Sequence, residues 1–388
     1  MDMCKYSPID PHQSKLWIEQ LSLTHYRNFN RVHLQFADGL HFFIGANAQG
    51  KTNLLESLYV VAIGKSHRTR SYRELIQFGQ AKAKVELSLR NAAQTERLEV
   101  VISTKEKKIF KNGVEQQKLS RYIGTMPVVL FAPEDLALVK GGPAVRRKFL
   151  NTGIGQTNPR YLYDLSVYNQ LIKQRNHLLK QHDVSKRSQM ELLAVLDEQI
   201  IPVATRIWKM RLAFVEEMNR WAREIHQQLS RQKEELKLRY RSSIPIEETN
   251  LEDAEIHELF KQEMKRVRPK EISRKVTLLG PHRDDIQLFI DAIDVHTFGS
   301  QGQQRSAVLS LKLAEIEYIY QKKGIYPILL LDDVLSELDD WRKNDLFAAI
   351  HHKVQTFITT TTLDGVQPEF VEQAMVYHIK QGTIIEQR

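Results

Sequence analysis

Three kinds of feature are scarce in this sequence, and each absence excludes a class of protein. A single cysteine, Cys4, occurs in 388 residues, so no disulfide can form within the chain and a reducing, cytoplasmic compartment is expected. No run of 18 apolar residues occurs, and the first 20 residues lack an apolar core, which argues against a membrane span and a signal peptide. Basic residues outnumber acidic residues, and the resulting formal net charge of +9 favours a polyanionic partner.

The apolar pattern predicts strands toward both ends of the chain and helices in the middle. Glycine is scarce after residue 155, and the spacing of apolar residues there becomes that of a helix. The predicted strands are 17–23, 32–36, 40–44, 83–89, 98–103, 108–110, 127–131, 276–279, 286–290 and 328–331. The predicted helices are 53–61, 161–180, 190–231 (broken near Pro202) and 306–320.

Residues 45–52 fit the phosphate-loop pattern G-x-x-x-x-G-K-[ST] at every fixed position. They lie between a predicted strand and a predicted helix, the context in which backbone N–H groups and a helix N-terminus bind phosphate. Lys51 is expected to reach the β- and γ-phosphates, and the Thr52 hydroxyl to bind Mg²⁺. The candidate ATP-binding residues are Gly45, Ala46, Asn47, Ala48, Gln49, Gly50, Lys51, Thr52 and Asn53.

A second candidate site follows the aliphatic run 328–331, where Asp332 and Asp333 end a strand typical of a parallel sheet covered on both faces. Ligands of open α/β sheets bind at the carboxyl ends of the strands. Asp332 is expected to hold Mg²⁺, directly or through water. Asp333 is expected to orient or deprotonate the attacking water, so Asp333 and Lys51 are the catalytic candidates.

A Ser/Gly/Gln loop precedes the predicted helix 306–320 and forms a second helix N-terminus suited to an anion. The order of phosphate loop, long insertion, Ser/Gly/Gln signature, acidic strand and then Ser336–Asp339 resembles the ATPase heads of the ABC class. In that class two heads sandwich two ATP molecules. The resemblance implies that the signature acts on ATP held by a partner copy and that Asp339 lies at the dimer seam. The signature candidates are Ser300, Gln301, Gly302, Gln303 and Gln304.

Finer motifs make the chain similar to the RecF family of bacterial recombinational repair proteins, essentially throughout its length. The motifs that carry this resemblance are 64–69 (GKSHRT), 131–136 (FAPEDL), 278–285 (LLGPHRDD) and 300–305 (SQGQQR). The resemblance implies ATP-induced dimerisation on duplex DNA and at single-strand/duplex junctions, help in loading a recombinase at gaps and at replication forks, and RecR and RecO as partners.

The predicted fold class is therefore α/β, a P-loop ABC-type ATPase head with a mixed sheet, made of residues 1–130 and 270–388. A helical lobe, 131–269, is inserted between the two parts. The glutamine expected after strand 127–131 and the histidine expected after the last sheet strand are missing, and Thr359–Thr362 stands at the latter position. A hydroxyl is a poorer proton acceptor than imidazole, and Asp333 is shorter than the commoner glutamate. We therefore expect weak, DNA-stimulated ATP hydrolysis that serves as a release switch.

Basic residues cluster in two segments, seven against two acidic residues in 61–90 and eight against three in 131–180. Such clusters are typical of sequence-independent contacts with a phosphate backbone. The DNA-binding candidates are Lys65, Arg68, Arg70, Arg146, Arg147, Lys148, Lys173 and Arg175.

Three alternatives stay open at this point. A transporter ATPase subunit is disfavoured by the insertion and the altered motifs. An SMC-type chromosome-organising head would need long heptad arms, which residues 131–269 lack. A nucleotide-gated DNA clamp without hydrolysis is disfavoured by Lys51, Thr52 and Asp332, but Asp333 and the threonine run are compatible with it.

Overall fold

The computed structural model describes residues 15–91, 94–181, 187–246 and 251–387, and these contain fifteen strands and eleven helices besides short 3-10 turns. The strands are β1 (Leu16–Tyr26), β2 (Phe29–Gln35), β3 (Leu40–Ile44), β4 (Lys82–Asn91), β5 (Thr95–Ser103), β6 (Lys107–Lys111), β7 (Val114–Glu115), β8 (Val128–Phe131), β9 (Leu236–Arg241), β10 (Asp285–Ile290), β11 (Ile293–Asp294), β12 (Ile328–Asp332), β13 (Thr356–Thr360), β14 (Met375–Lys380) and β15 (Thr383–Gln387). The helices are α1 (Lys51–Ile63), α2 (Leu119–Tyr122), α3 (Ala137–Lys140), α4 (Pro143–Thr157), α5 (Pro159–Leu179), α6 (Arg187–Leu229), α7 (Asp253–Arg274), α8 (Val295–Phe298), α9 (Gln301–Lys323), α10 (Asp340–Ile350) and α11 (Pro368–Glu372).

The chain divides into two compact units. The first unit comprises Met1–Asp135 and Lys312–Arg388, and the second comprises Leu136–Leu311. The sequence-based division differs from this one mainly in residues 270–311, which group with the helices because β10 pairs with β9 along its whole length. The assignment of ATPase head and inserted lobe to particular residues stays a prediction.

Two six-stranded sheets build the first unit. The central sheet has the order β15-β14-β3-β13-β12-β8, and it is mixed because β15 alone runs antiparallel to its neighbour. The other sheet, β2-β1-β4-β5-β6-β7, is antiparallel throughout. Alternate residues of its strands are buried, as in β1 and β4, and they share one apolar core with α1 and the central sheet. The predicted α/β class and mixed sheet are confirmed.

The second unit contains helices α3 to α8, the N-terminal part of α9 as far as Leu311, and the small sheet β11-β10-β9. The predicted break near Pro202 is wrong, since α6 continues through this residue over 43 residues. Ile200, Ile201, Val203 and Ala204 around the proline are buried, and this packing outweighs the roughly 3 kcal/mol that an interior proline costs. The predicted strand 276–279 is also wrong. Within the described residues, no helix has the length and apolar character needed to cross a membrane.

Residues 277 and 278, in the segment of the predicted strand, bind instead to a group of buried side chains around Arg175. The guanidinium is fully buried and donates to Asp197 Oδ1 at 2.7 Å, to Glu271 Oε2 at 2.7 Å and to the Thr277 hydroxyl at 3.0 Å. Thr277 in turn donates its backbone N–H to Asn176 Oδ1 at 2.7 Å. The backbone near Thr277 therefore bonds to side chains rather than to a neighbouring strand.

Replacement of Arg175 is expected to destabilise the second unit strongly. Arg175→Met leaves the buried Glu271 without its cation and leaves Asp197 paired with Arg268 alone, and breaking a buried ion pair typically costs about 3–5 kcal/mol. Lys173→Met, two residues earlier on the same helix and exposed, is the matched control and should change stability by less than about 0.5 kcal/mol. Denaturant unfolding followed by circular dichroism measures both, and equal stabilities of the two variants would contradict the role assigned to Arg175.

Candidate nucleotide-binding site

The phosphate loop joins β3 to α1 in the first unit. Gly50 has φ of 114°, and a Cβ there would lie 2.6 Å from Asn28 Nδ2, while a Cβ on Gly45 would lie 2.4 Å from the Ile379 carbonyl oxygen. Both positions therefore require glycine. The N-terminus of α1 has no side-chain cap, so its first N–H groups remain available for an anion.

Two neighbouring turns hold the loop in shape. Asn28, in the β1–β2 turn, donates from Nδ2 to the Gln49 carbonyl at 3.0 Å and accepts from Asn53 Nδ2 at 2.8 Å. From the β14–β15 turn, the Gly382 N–H also donates to the Gln49 carbonyl, at 2.9 Å, and the Gln381 N–H donates to Gln49 Oε1 at 2.8 Å. These bonds fix the cradle before any ligand binds, which lowers the entropic cost of binding.

Lys51 is buried, and its ammonium group faces the loop. Its Nζ donates to the Gly45 carbonyl at 2.7 Å and to the Ala46 carbonyl at 2.9 Å. Burial lowers the pKa of Lys51, while the nearby Asp333 and Asp332 carboxylates act to raise it. A phosphate in the cradle would offer this ammonium a full negative charge in place of two neutral carbonyls, and this favours binding.

The Asp332 carboxylate joins three elements of the site. Its Oδ1 accepts from the Thr52 hydroxyl at 2.9 Å and from the Thr359 hydroxyl at 2.7 Å. This convergence follows from the strand order, because β13 lies between β3 and β12. Thr52 and Asp332 therefore form an oxygen donor pair that fits Mg²⁺, a cation that takes one or two protein oxygens, phosphate oxygens and water. No cluster of three or more His, Cys, Asp or Glu ligands occurs in the described ranges.

Asp333 follows directly in a strained backbone conformation, with φ of 53°. Its N–H donates to the Thr359 hydroxyl at 2.9 Å, which supports this left-handed geometry. Burial raises the pKa of Asp333, and the neighbouring Asp332 adds to the effect while Lys51 opposes it. Backbone strain at such a position is typical of functional sites. Asp333 therefore lies beside the two strongest nucleotide candidates, Lys51 and Asp332, as the sequence predicts.

Behind α1 lies a cluster that the sequence motifs did not reveal. The fully buried Glu56 binds Arg27 through two hydrogen bonds, of 2.9 and 3.0 Å, and accepts from the Ser66 hydroxyl. Arg68 donates to Asn53 Oδ1 at 2.8 Å and lies 4.0 Å from Glu56. His67 packs edge-on against Tyr59, and burial lowers its pKa. Residues 64–69 thus form the wall behind the phosphate loop.

The position of the expected glutamine is occupied by an internal ion pair. Asp135 accepts from the Ala132 N–H at 2.9 Å and lies 3.2 Å from Nζ of the buried Lys312. Glu315 lies 3.9 Å from the same ammonium, and burial raises its pKa to about 7. Asp135 of the PEDL motif therefore binds the segment that follows β8 to Lys312 of α9 within the first unit.

The signature residues lie in the second unit at the start of α9. The Ser300 hydroxyl accepts from the Gln303 N–H at 3.1 Å, and Gln303 Oε1 accepts from the Ser300 N–H at 2.9 Å, a reciprocal cap of the helix. Gln303 also donates to Glu234 at 3.0 Å, and the buried Gln304 donates to the Val295 carbonyl at 3.2 Å. Ser300 and Gln301 are exposed, and a Cβ on Gly302 would meet Ser300 Oγ at 3.9 Å, an ordinary contact distance. Asp339, the predicted seam residue, caps α10 by accepting from the Arg342 N–H at 3.0 Å.

Two of the candidate DNA contacts need correction. Arg175 is enclosed in the group of buried side chains described above. Arg146 is also buried, and it binds both Asp285 oxygens, at 2.7 and 2.8 Å. Neither guanidinium can present its charge to a phosphate backbone. Arg147 is half-buried and donates to the Asp284 carbonyl at 2.9 Å. The exposed candidates are Lys65, Arg68, Arg70, Lys148 and Lys173.

Fold and site together define the chain as a P-loop ATPase head of the ABC class. The family described as "RecF/RecN/SMC N terminal domain" matches residues 17–384. Two curated relatives are both named DNA replication and repair protein RecF. That of Bacillus subtilis (strain 168) is 46% identical over 371 residues, which cover 96% of this chain and 100% of the relative. That of Bacillus cereus (strain AH820) is 48% identical over 373 residues, covering 95% and 98% respectively. The chain therefore belongs to the RecF family.

Solved structures agree with this assignment. A structure described as "the recombination mediator protein RecF-ATP in RecFOR pathway" superposes with a TM-score of 0.89 at 30% identity, covering 97% of this chain and 98% of the other. An SMC head bound to the C-terminal winged-helix domain of ScpA has a TM-score of 0.56 at 14% identity over 96% of this chain and 97% of the other. The second likeness concerns the fold alone.

Removing the Thr359 hydroxyl is expected to impair the acidic end of β12. Thr359→Val deletes one donor to Asp332 and one of the two acceptors of the Asp333 N–H, whose bond to the Thr359 carbonyl remains, and loss of such supporting contacts costs about 10- to 100-fold in metal affinity or activity. Phosphate release measured against Mg²⁺ concentration tests this, with the exposed Thr361→Val as the matched control. Equal Mg²⁺ dependence in both variants and the parent protein would contradict the supporting role.

Proposed function

We propose that this chain is an ATP- and Mg²⁺-dependent DNA-binding protein of recombinational gap repair and replication-fork maintenance. ATP binding joins two copies on duplex DNA and at single-strand/duplex junctions, and slow hydrolysis releases them. The single observation that carries the nucleotide part is the convergence of Lys51, Thr52 and Asp332 on one phosphate cradle. Membership of the RecF family supports the role in DNA repair.

Within the site, each side chain has a distinct task in this proposal. The phosphate loop and Lys51 bind the β- and γ-phosphates and neutralise their charge. Thr52 and Asp332 hold Mg²⁺, which would supply charge neutralisation at the phosphate oxygens. Asp333 orients the attacking water or accepts its proton, and Thr359 keeps the two aspartates in position. A short carboxylate and a hydroxyl at the usual histidine position together favour slow turnover.

The exposure of the signature loop at a helix N-terminus supports dimerisation. Ser300 and Gln301 are exposed at the N-terminus of the 23-residue helix α9, where the helix dipole favours an anion. In the proposal, this end of one copy contacts the γ-phosphate of ATP bound to the other copy, and Asp339 lies at the seam. ATP then acts as part of the interface, so nucleotide binding and dimerisation are coupled.

The exposed basic residues of both units support binding to DNA. No motif that reads DNA sequence includes the exposed candidates Lys65, Arg68, Arg70, Lys148 and Lys173. We therefore expect them to contact phosphates, and we expect DNA affinity to depend strongly on salt concentration. RecR and RecO are the proposed protein partners, in line with the RecFOR pathway named for the solved relatives. A bacterial cytoplasmic location follows from this role.

The mass of the protein in solution tests the ATP-dependent dimer. We expect a shift from monomer to dimer with ATP but not with ADP, and no shift for Lys51→Met, because its phosphate contact is lost. Gln301→Arg keeps the Ser300 cap but obstructs the signature surface, so it should bind ATP and stay monomeric. Light scattering with and without short duplex DNA measures this. A mass unchanged by ATP under both conditions would refute the sandwich.

The rate of phosphate release tests the switch. Turnover is expected to lie below about 10 s⁻¹, the median of enzymes generally, and to rise when duplex DNA is added. Asp333→Asn should lower it by about 10²-fold or more, as is typical for loss of a general base, while ATP binding is retained. Turnover well above about 10 s⁻¹ would contradict a slow switch, and no turnover at all would favour the clamp that is gated by nucleotide alone.

A further inference from the structure

Among the described residues of the first unit, one aromatic side chain stands fully in solvent. Phe78 has a relative exposure of 102%, the highest of any large apolar residue in the described part of the chain. Burial of a phenylalanine normally stabilises a fold by about 1.5–3 kcal/mol, so its exposure here brings no gain to the folded monomer. In the described residues from 15 to 113, no other large apolar side chain is exposed.

The backbone that carries Phe78 is firmly held. The Gln80 N–H donates to the Gln77 carbonyl at 3.0 Å, which closes a tight turn with Phe78 and Gly79 at its tip. Gly79 has φ of 81°, as the third residue of a type II turn requires. Before the turn, the Gln77 N–H donates to the His25 carbonyl at 2.8 Å. Phe78 is therefore presented by a fixed scaffold rather than by a frayed segment.

The same scaffold connects the turn to the nucleotide site. The Arg27 N–H donates to the Leu75 carbonyl at 2.9 Å, and its guanidinium donates to the Glu74 carbonyl at 3.0 Å. Arg27 also pairs with Glu56 in the cluster behind α1, beside Arg68. The aromatic tip is thus joined by direct contacts to the wall of the phosphate loop.

The surroundings of Phe78 in the sequence are polar and mainly cationic. Lys65, Arg70, Arg73 and Lys82 are exposed, with Glu74 as the exposed acidic residue between them. A protein-binding hot spot is normally ringed by further contacts that exclude water, and no other large apolar side chain is exposed between residues 73 and 82. An aromatic face flanked by cations is typical of sites for unpaired nucleotides, where bases stack on the ring and phosphates meet the charges.

We propose that Phe78 stacks on an unpaired base at the single-strand/duplex junction, while the neighbouring basic residues hold the backbone phosphates. This inference deepens the proposed function and depends on the chain binding DNA. Phenylalanine has no hydrogen-bonding group, so the contact recognises an exposed base without reading its identity. The turn would thereby distinguish a junction from an uninterrupted duplex, which has no unpaired base to offer.

Binding of two DNA molecules to the full chain in the presence of ATP tests this inference. One is a blunt duplex, and the other carries a single-stranded overhang with 2-aminopurine at the first unpaired position. We expect Phe78→Leu to weaken binding to the overhang DNA about 5- to 100-fold without weakening binding to the blunt duplex. Quenching of 2-aminopurine, the direct sign of stacking, should be lost with Leu and kept with Phe78→Trp. Val114→Ala, at another exposed apolar residue of the first unit, is the matched control and should change neither.

The other outcomes separate this inference from the proposed function. If the parent protein binds neither DNA, the proposed function itself fails. If Phe78→Leu binds both DNAs as the parent does, or loses affinity equally for both, stacking on an unpaired base is refuted and the DNA-binding function stands. If Phe78→Leu abolishes the ATP-dependent dimer without DNA present, Phe78 is a contact between copies and the inference is overturned.

Discussion

The hydrogen bonds to the Asp332 carboxylate are the interaction on which the site depends. One oxygen accepts from Thr52 at the start of α1 and from Thr359 on β13, so a single atom joins the phosphate loop to two strands of the central sheet. The carboxylate is 5% exposed, and a buried carboxylate is tolerated only when its lone pairs are satisfied. The two hydroxyls therefore stabilise the charge that a cation would later share, and they fix its position before ligand binds.

This arrangement also gives a task to Thr359, the first residue of the threonine run 359–362. The Thr359 hydroxyl donates to Asp332 and accepts from the Asp333 N–H, so its proton and one of its two lone pairs are engaged inside the protein. A residue engaged in this way positions the acidic pair and is not free to exchange protons with water. Slow hydrolysis is then expected from the hydrogen-bond pattern, and not merely from the weak basicity of a hydroxyl.

The sequence predicted most of the site because its motifs impose local geometry. Gly50 adopts a positive φ, Lys51 and Thr52 follow it directly, and Asp332 ends an aliphatic run that is typical of a strand in a covered sheet. What the sequence could not predict are the long-range partners. Asn28 clamps the loop across 21 residues and Arg27 meets Glu56 across 29, and no local pattern distinguishes such residues from ordinary turn or surface residues. The same limit explains Arg146 and Arg175, whose charges are neutralised by carboxylates far along the chain.

Several arginines bind acceptors inside the protein, so their charge is not available to DNA. Arg27, Arg146, Arg175 and Arg211 are engaged with internal acceptors, so part of the positive charge that the composition suggests for DNA serves the packing inside each unit. Arg68 differs, because it is exposed yet donates to Asn53 at the start of α1. A phosphate group that displaced Asn53 from this guanidinium would release a side chain that also holds the clamp residue Asn28. Such a displacement would couple the polyanion to the phosphate loop, and by linkage the coupling would be equal in both directions.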